Sequence, residues 1–230
     1  MGQFLHNKKC RLKTLNVQKI NNLILHHVIL ESGEVNIGDK VKMEIDIARR
    51  KKIAANHSST HLLNQALRQV LGDHVEQKGS MVHSGEFRFD FSHYAKVSND
   101  ELKQVEQFVN ARIQEHIDLE EDRNTPYNKA IEKGAMALFG EKYGEEVRVV
   151  FMGKESNGFF STELCGGTHV KNTKEVGKFK VISQSSIASG VRRVEALRDK
   201  QLEEYEKCQK QDKSTKEKTS KDLLEKIKKE

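Results

Sequence analysis

The first part of the chain carries short apolar runs with polar residues between them, a pattern that is typical of β-strands. Apolar residues recur over residues 12–17, 23–25 and 28–30, and residues 41–45 alternate strictly between apolar and polar. Asn and Gly residues between the runs indicate tight turns. Several short strands joined by tight turns predict a small antiparallel barrel or sheet.

The pattern becomes helical from Asn56 to Leu71, where apolar residues form one stripe that ends before a glycine. A strand is predicted over residues 86–92, because three phenylalanines alternate there with polar residues. Helical spacing returns over residues 99–123, where Ser98 or Asn99 can cap the start, and Pro126 ends that region.

The remaining pattern predicts one or two short helices and then a series of strands. The helices fall within residues 127–143, and the strands are predicted over residues 147–152, 159–164, 177–183 and 190–197. The predicted fold class is therefore α+β. A small N-terminal antiparallel β-barrel or sheet occupies residues 1–50, an α+β domain occupies 51–198, and a charged helical linker rich in Lys, Glu and Gln occupies 199–230.

The net charge of +6 is concentrated near the N-terminus, since residues 1–56 hold 11 Lys and Arg against 5 Asp and Glu. A localised basic surface suits a polyanion such as nucleic acid, although it can also be ordinary solubilising charge. The cluster Arg49, Arg50, Lys51 and Lys52 is either a solvated helix start or a phosphate contact.

The cysteines and the hydropathy pattern point to the cytoplasm. The three cysteines are widely spaced and odd in number, which is a poor disulfide framework and favours a reducing compartment. No apolar run approaches the length of a membrane span, and the first residues lack a signal-peptide pattern. We therefore expect a cytoplasmic protein with no membrane partner.

Two pairs of metal-ligating residues stand far apart in the sequence. His57 and His61 are one helical turn apart in N-H-S-S-T-H-L-L, and Cys165 and His169 flank two glycines in C-G-G-T-H. Each pair alone is a weak signal, and His57 and His61 by themselves are more simply helix-surface histidines. Together the four residues make a set that can close one tetrahedral zinc site, so one Zn²⁺ is the predicted cofactor. Four protein ligands usually mark a structural site, so a catalytic role stays open at this point.

Several blocks of the sequence together resemble the editing region of bacterial alanyl-tRNA synthetase. The blocks are N-H-S-S-T-H-L-L, Q-K-G-S, F-R-F-D-F-S-H, K-G-A-M-A-L-F-G-E-K-Y, S-T-E-L-C-G-G-T-H and G-V-R-R-V-E-A-L, and they occur in the same order over about residues 20–198. Freestanding editing proteins and the editing domain of threonyl-tRNA synthetase share the two ligand pairs. The resemblance implies that the aminoacylation and C-terminal domains of the full-length synthetase lie outside this chain.

The resemblance implies hydrolysis of Ser-tRNA(Ala) and Gly-tRNA(Ala), with tRNA as the partner. It places the metal ligands on His57, His61, Cys165 and His169, and it places pocket residues on Thr60 and Gln77, which we predict to orient substrate or water. Thr60 is our candidate for contact with the serine hydroxyl, a contact that leaves the removal of glycine unexplained. No Asp or Glu in these motifs is an obvious general base.

The tRNA acceptor end is predicted to contact the basic cluster at residues 49–52 and either Arg192 or Arg193. These two arginines are neighbours on a predicted strand, so they point to opposite faces and only one of them reaches a given ligand. Two alternatives to editing remain. One is a non-catalytic, zinc-stabilised tRNA-binding module, and the other is a metallohydrolase that acts on another ester without tRNA.

Overall fold

The computed structural model describes residues 3–21, 23–137, 143–155 and 158–212, and it confirms a mixed α+β fold with antiparallel sheets. The chain forms two compact units, Met1–Ile53 and Ala54–Glu230. The predicted domain limits at residues 50 and 198 stay predictions.

The first unit contains a four-stranded antiparallel sheet in the order β3-β2-β1-β4. Its strands are β1 (Gln3–His6), β2 (Cys10–Ile20), β3 (Leu23–Gly33) and β4 (Lys42–Ile45). Strand β1 was not predicted, and the apolar runs at 23–25 and 28–30 lie on one strand, β3. His26 and His27 continue one long strand because they pair in register with Val17 and Asn16 of β2. A small buried cluster of Leu5, Cys10 and Leu12 forms the core of this sheet.

Helix α1 (Ile47–Leu71) spans the boundary between the units and is longer than predicted, because the basic residues 49–52 form its first turns. In the second unit its apolar stripe belongs to the same buried cluster as Phe87, Phe89 and Phe91. These phenylalanines lie on a sheet in the order β10-β11-β6-β5. Its strands are β5 (Gln77–Val82), β6 (Phe87–Ser92), β10 (Phe179–Ala188) and β11 (Val191–Arg198).

Helix α2 (Asn99–Gln114) begins at a capping box in which Ser98 and Glu101 bond each other's backbone. The prediction that it continues to residue 123 is wrong. The backbone turns left-handed at His116, with φ of 54°, and the amide of Ile117 donates to the hydroxyl of Thr173. The charged residues that follow form strand β7 (Glu120–Pro126), whose backbone pairs with β8 instead of bonding within a helix.

A second antiparallel sheet in this unit has the order β7-β8-β9, with β8 at Glu146–Glu155 and β9 at Gly158–Leu164. Helix α3 (Tyr127–Glu132) follows β7, and a 3-10 turn occupies Thr173–Val176. The second part of the helical region predicted over 127–143 includes residues 138–142, which lie outside the described residues. Because β9 ends at Leu164, the next residue, Cys165, opens the turn that carries the candidate site.

Residues 199–212 are helical, and the rest of the predicted linker, residues 213–230, lies outside the described part of the chain. Among the described residues, no helix combines the length and the apolar character needed to cross a membrane.

Candidate metal centre

The structure brings the two predicted ligand pairs together. One ligand atom from each of His57, His61, Cys165 and His169 lies within 4.8 Å of all the others. The Cys165 Sγ atom is 3.5 Å from His57 Nε2 and 3.3 Å from His169 Nε2. Zinc bonds of about 2.0–2.3 Å at tetrahedral angles separate the ligand atoms by roughly 3.3–3.7 Å. The two distances from Cys165 Sγ fall in this range, and the four donor types suit one tetrahedral ion.

Helix α1 supplies one side of this centre. His57 and His61 are one turn apart, and their ring centroids are 5.0 Å from each other. Both rings also contact His169, with centroid distances of 4.3 Å and 4.8 Å. The helix therefore presents two imidazoles side by side to the turn that follows β9.

The turn from Cys165 to His169 supplies the other side. The amide of Gly167 donates to Cys165 Sγ over 3.4 Å, so the turn folds back onto its own first ligand. Gly167 also lies directly against His57, and a β-carbon at this position would be 2.1 Å from His57 Cε1. A β-carbon on Gly166 would meet no atom within 4 Å. The close approach therefore requires glycine at position 167 and not at position 166.

Contacts outside the ligand set orient two of the imidazoles. The Ser58 hydroxyl lies 3.2 Å from His169 Nδ1 and accepts the amide proton of Val170 over 3.2 Å. The carboxylate of Glu163 lies 2.7 Å from His61 Nδ1. With each Nδ1 occupied by its partner, the Nε2 atoms of His61 and His169 are the ones left to bind a metal.

Glu163 was missed in the sequence, where no carboxylate was assigned a role. Its side chain is buried and accepts hydrogen bonds from Asn64 Nδ2 and Ser161 Oγ, each over 3.1 Å. A signal was present, because Glu163 lies on strand β9 only two residues before the ligand Cys165. A carboxylate behind a ligating histidine is a common support for zinc sites.

The electrostatics of the metal-free cluster favour the thiolate of Cys165 but the protonated form of His61, whose proton a metal must displace. Burial alone would raise the pKa of Cys165, but hydrogen bonds from His169, His57 and His61 lower this pKa to about 3. Burial also acts to lower the pKa of His61, yet Glu163 and Cys165 raise it to about 10. Burial lowers the pKa of His169 to about 4. The thiol is therefore held as thiolate, which is the form that coordinates metals.

The two predicted pocket residues lie near the ligands in sequence but have local partners. Thr60 is buried on α1, and its hydroxyl donates to the carbonyl of Asn56 over 3.0 Å. Gln77 opens β5, and its Nε2 atom donates to Ser80 Oγ over 3.3 Å. Their functional roles stay predictions.

A cleft of about 920 Å³ opens beside the metal-binding turn. The turn contributes residues 166–169 to one wall, and strands β7 and β8 contribute Glu121, Arg123 and Arg148 to the other. Thr60 and Gln77 do not line this cleft. A substrate group bound in this cleft would contact His169 directly. To contact Thr60 or Gln77, a substrate would have to enter from another side of the metal centre.

The basic residues predicted to contact tRNA fall into two groups. Arg49, Arg50, Lys51 and Lys52 lie in the first turns of α1, where the amide of Arg49 is capped by the Asp46 carboxylate over 2.9 Å. On β11, Arg193 forms a two-pronged ion pair with Asp90 of β6 over 2.6 and 2.7 Å. Arg192 instead donates to Gln184 of β10 over 3.1 Å. All contacts of these residues with tRNA stay predictions.

Comparison with known proteins identifies related sequences over most of the chain. Residues 147–195 match the family model described as the threonyl and alanyl tRNA synthetase second additional domain. The chain is 51% identical over 187 residues, 81% of its length, to the alanine–tRNA ligase of Cytophaga hutchinsonii. It is 50% identical over 200 residues (86% of the chain) to the ligase of Clostridioides difficile and 42% identical over 227 residues (97%) to that of a Thermoanaerobacter species. The matched regions make up only 21%, 22% and 25% of these three ligases.

Proposed function

The chain is homologous to one segment of the alanine–tRNA ligases, and we propose that this segment is an editing hydrolase. It cleaves the ester bond of Ser-tRNA(Ala) and Gly-tRNA(Ala) and spares Ala-tRNA(Ala). The observation that carries this proposal is the convergence of two histidines, a cysteine thiolate and a third histidine beside an open cleft. Ligation of alanine is not expected from this segment, which corresponds to about a quarter or less of the relatives' length.

Editing answers a physical limit on amino acid selection. A pocket shaped for alanine cannot strongly reject glycine, which is smaller, or serine, which adds one hydroxyl group. The wrong ester must therefore be removed in a second pocket that recognises the difference. Thr60 is suited to recognise the serine hydroxyl. Its own proton is donated to the Asn56 carbonyl, so its oxygen can still accept the proton of a substrate hydroxyl.

The donor set of one thiolate and three imidazoles suits zinc, and we assign His57, His61, Cys165 and His169 as its ligands. A bound zinc ion supplies Lewis-acid polarisation of water or of the substrate. Glu163 holds His61 in the ligating orientation, and Ser58 does the same for His169. Gln77 is assigned to orient substrate or water, and residues 49–52 with Arg192 or Arg193 are assigned to the tRNA acceptor end.

The test is a deacylation assay of the chain with matched Ser-, Gly- and Ala-tRNA(Ala). We expect release of serine and glycine while Ala-tRNA(Ala) stays largely intact. Cys165→Ala should lose zinc and this activity together, whereas Cys208→Ala, at an exposed free cysteine, should keep both. Release of no amino acid by the zinc-loaded protein would contradict the proposal.

The second candidate function is a non-catalytic, zinc-stabilised tRNA-binding module. Four protein ligands fill a tetrahedron, which is the usual arrangement of a structural zinc site, and this favours the module. The module predicts tRNA binding that depends on zinc but never releases the amino acid. Measuring tRNA binding and ester cleavage on the same samples therefore separates the two candidates.

A further inference from the structure

The metal-binding turn is held from outside by an arginine on strand β8. Arg148 donates from a single guanidinium nitrogen, Nη1, to the carbonyls of Gly167 over 2.5 Å and of Cys165 over 3.1 Å. We propose that Arg148 is a positioning residue for the proposed metal site, and that Glu121 on β7 fixes it in place. The inference rests on the four assigned ligands and not on the hydrolytic activity.

Arg148 lies where the pairing of β8 with β9 ends, so beyond this point only its side chain can bond the turn. Strands β8 and β9 pair as far as Val149 and Leu164, and the amide of Cys165 still donates to the Arg148 carbonyl over 3.0 Å. Beyond this bond the backbone leaves the sheet to form the turn. The guanidinium group extends the hold of β8 by bonding the Cys165 and Gly167 carbonyls, so the turn stays fixed beyond the end of the strand ladder.

Glu121 completes the arrangement. Its Oε2 atom accepts from Arg148 Nε over 2.7 Å and also contacts Nη2, while its Oε1 atom accepts from Arg123 Nε over 2.7 Å. Hydrogen bonds from Arg148 and then Arg123 hold the pKa of Glu121 below its ordinary range, so the carboxylate stays charged. A planar guanidinium can bond a carboxylate and two carbonyls at once, whereas a lysine ammonium lacks this fixed fork.

Arg148 and Glu121 together form what we call the clamp. It bonds the part of the turn that packs most tightly against α1. Gly167, whose carbonyl Arg148 holds, is the residue pressed against His57, and Cys165 is itself a ligand. Loss of the clamp frees the turn to move away from α1, which separates Cys165 and His169 from the helix ligands. The expected consequence is weaker metal binding with an intact sheet, because β8 and β9 keep their backbone pairing.

The test is metal binding by the full 230-residue chain, with Zn²⁺ measured by chelator competition and Co²⁺ by its ligand-field and thiolate charge-transfer absorption. Arg148→Gln should weaken Zn²⁺ binding about 10- to 100-fold, the range typical of lost outer contacts at metal sites. It should also change the Co²⁺ spectrum. Arg148→Lys should restore only part of the affinity, since it cannot bond both carbonyls and Glu121. Arg123→Gln is the matched control. Arg123 donates to Oε1 of Glu121, whereas Arg148 bonds Oε2, so this variant should bind Zn²⁺ nearly as well as wild type.

Unchanged Zn²⁺ affinity and Co²⁺ spectrum in Arg148→Gln would overturn the inference. If Arg148→Gln does not fold, Glu121→Gln tests the same clamp with milder disturbance, and wild-type metal binding in that variant would overturn it as well. Circular dichroism of the metal-free proteins shows whether the fold is kept. Because the readout is metal binding, a wild-type chain that binds zinc but releases no amino acid would contradict the proposed hydrolase and leave this inference standing.

Discussion

Gly167 and His57 are in contact so close that a single added carbon would not fit between them. A β-carbon at position 167 would lie 2.1 Å from His57 Cε1 and 2.6 Å from Nδ1. The two residues are more than a hundred positions apart in sequence, yet their contact sets the distance between the two halves of the metal centre. The glycine is required here by space, since its φ is not in the left-handed region that favours glycine.

Replacing Gly167 should therefore break the site, and replacing its neighbour should not. In Gly167→Ala the new methyl group must push His57 or the turn away, and we expect Zn²⁺ affinity to fall at least about 10-fold, as when a ligand's support is lost. Gly166→Ala places its methyl in open space and should bind Zn²⁺ like wild type. Chelator competition on both variants measures the difference, and equal affinities would show that the turn adapts without cost.

The difference between these glycines illustrates what the sequence could and could not predict. The pattern C-G-G-T-H indicates a tight turn between two ligands, because glycines allow sharp bends and Cys and His bind zinc. It does not distinguish Gly166 from Gly167, because the difference arises from contact with a helix far away in sequence. The partners of Glu163 and Arg148 were missed for the same reason, since each bonds residues that only the fold brings near.

Strand β7 shows a different reason for a wrong prediction. Ile113 and Ile117 keep helical spacing, so the apolar pattern continues past the true end of α2 at Gln114. The charged residues 120–126 carry no strand pattern of their own and become a strand by pairing with β8. A strand that exposes most of its side chains, like β7, has no apolar periodicity from which it can be predicted. Strand β6, with three buried phenylalanines, was predicted correctly.

Glu163 should control the affinity and the protonation of the centre. In Glu163→Gln the shape of the side chain is kept, but the negative charge beside His61 is lost. We expect Zn²⁺ affinity to fall about 10- to 100-fold. The pKa of His61 in the metal-free protein should also fall from about 10, because the carboxylate is the main group that raises it against burial. NMR titration of the imidazole measures the second effect.

Glu195→Gln is the matched control for that experiment. Glu195 lies on β11 and accepts a hydrogen bond from Ser183 Oγ over 2.6 Å, outside the metal centre. Its replacement should leave both Zn²⁺ affinity and the His61 titration unchanged. If Glu163→Gln behaves like this control, the carboxylate does not support the ligand.

Thr60 should govern discrimination between serine and alanine. Thr60→Val keeps the size of the side chain and removes the hydroxyl, so the contribution of one hydrogen bond to a serine substrate is lost, which corresponds to about tenfold. We expect the ratio of the kcat/KM values for Ser-tRNA(Ala) and Ala-tRNA(Ala) to fall by that factor, while Zn²⁺ binding is kept. Thr60→Ser should restore the ratio.

Ser59→Ala provides the control for Thr60, because the neighbouring hydroxyl makes the same kind of bond to the helix backbone. Ser59 Oγ donates to the Ala55 carbonyl over 2.8 Å, one residue before the Thr60 bond to Asn56. Any general effect of losing such a bond on α1 appears in both variants. A ratio that changes equally in Ser59→Ala and Thr60→Val would remove Thr60 from the substrate pocket.

Variants of Arg193 and Arg192 should distinguish an effect on stability from an effect on tRNA binding. The ion pair between Arg193 and Asp90 uses both carboxylate oxygens, and Asp90 is only 7% exposed. In Arg193→Gln that buried carboxylate loses its partner, which is strongly unfavourable, so we expect a lower urea midpoint of unfolding. Arg192→Gln breaks one hydrogen bond to Gln184 and should change this midpoint far less.

The salt dependence of tRNA binding tests which of these two arginines contacts a phosphate of the tRNA. An arginine that contacts a phosphate makes the slope of log K against log salt concentration steeper by roughly 0.7–0.9. Because the guanidinium of Arg193 is held by Asp90, we expect that contribution from Arg192, and the slope should become shallower in Arg192→Gln only. Binding of tRNA(Ala) measured over a salt series gives both slopes. A shallower slope in Arg193→Gln, with its unfolding midpoint unchanged, would assign the phosphate contact to Arg193 and show that the pair with Asp90 is not needed for the fold.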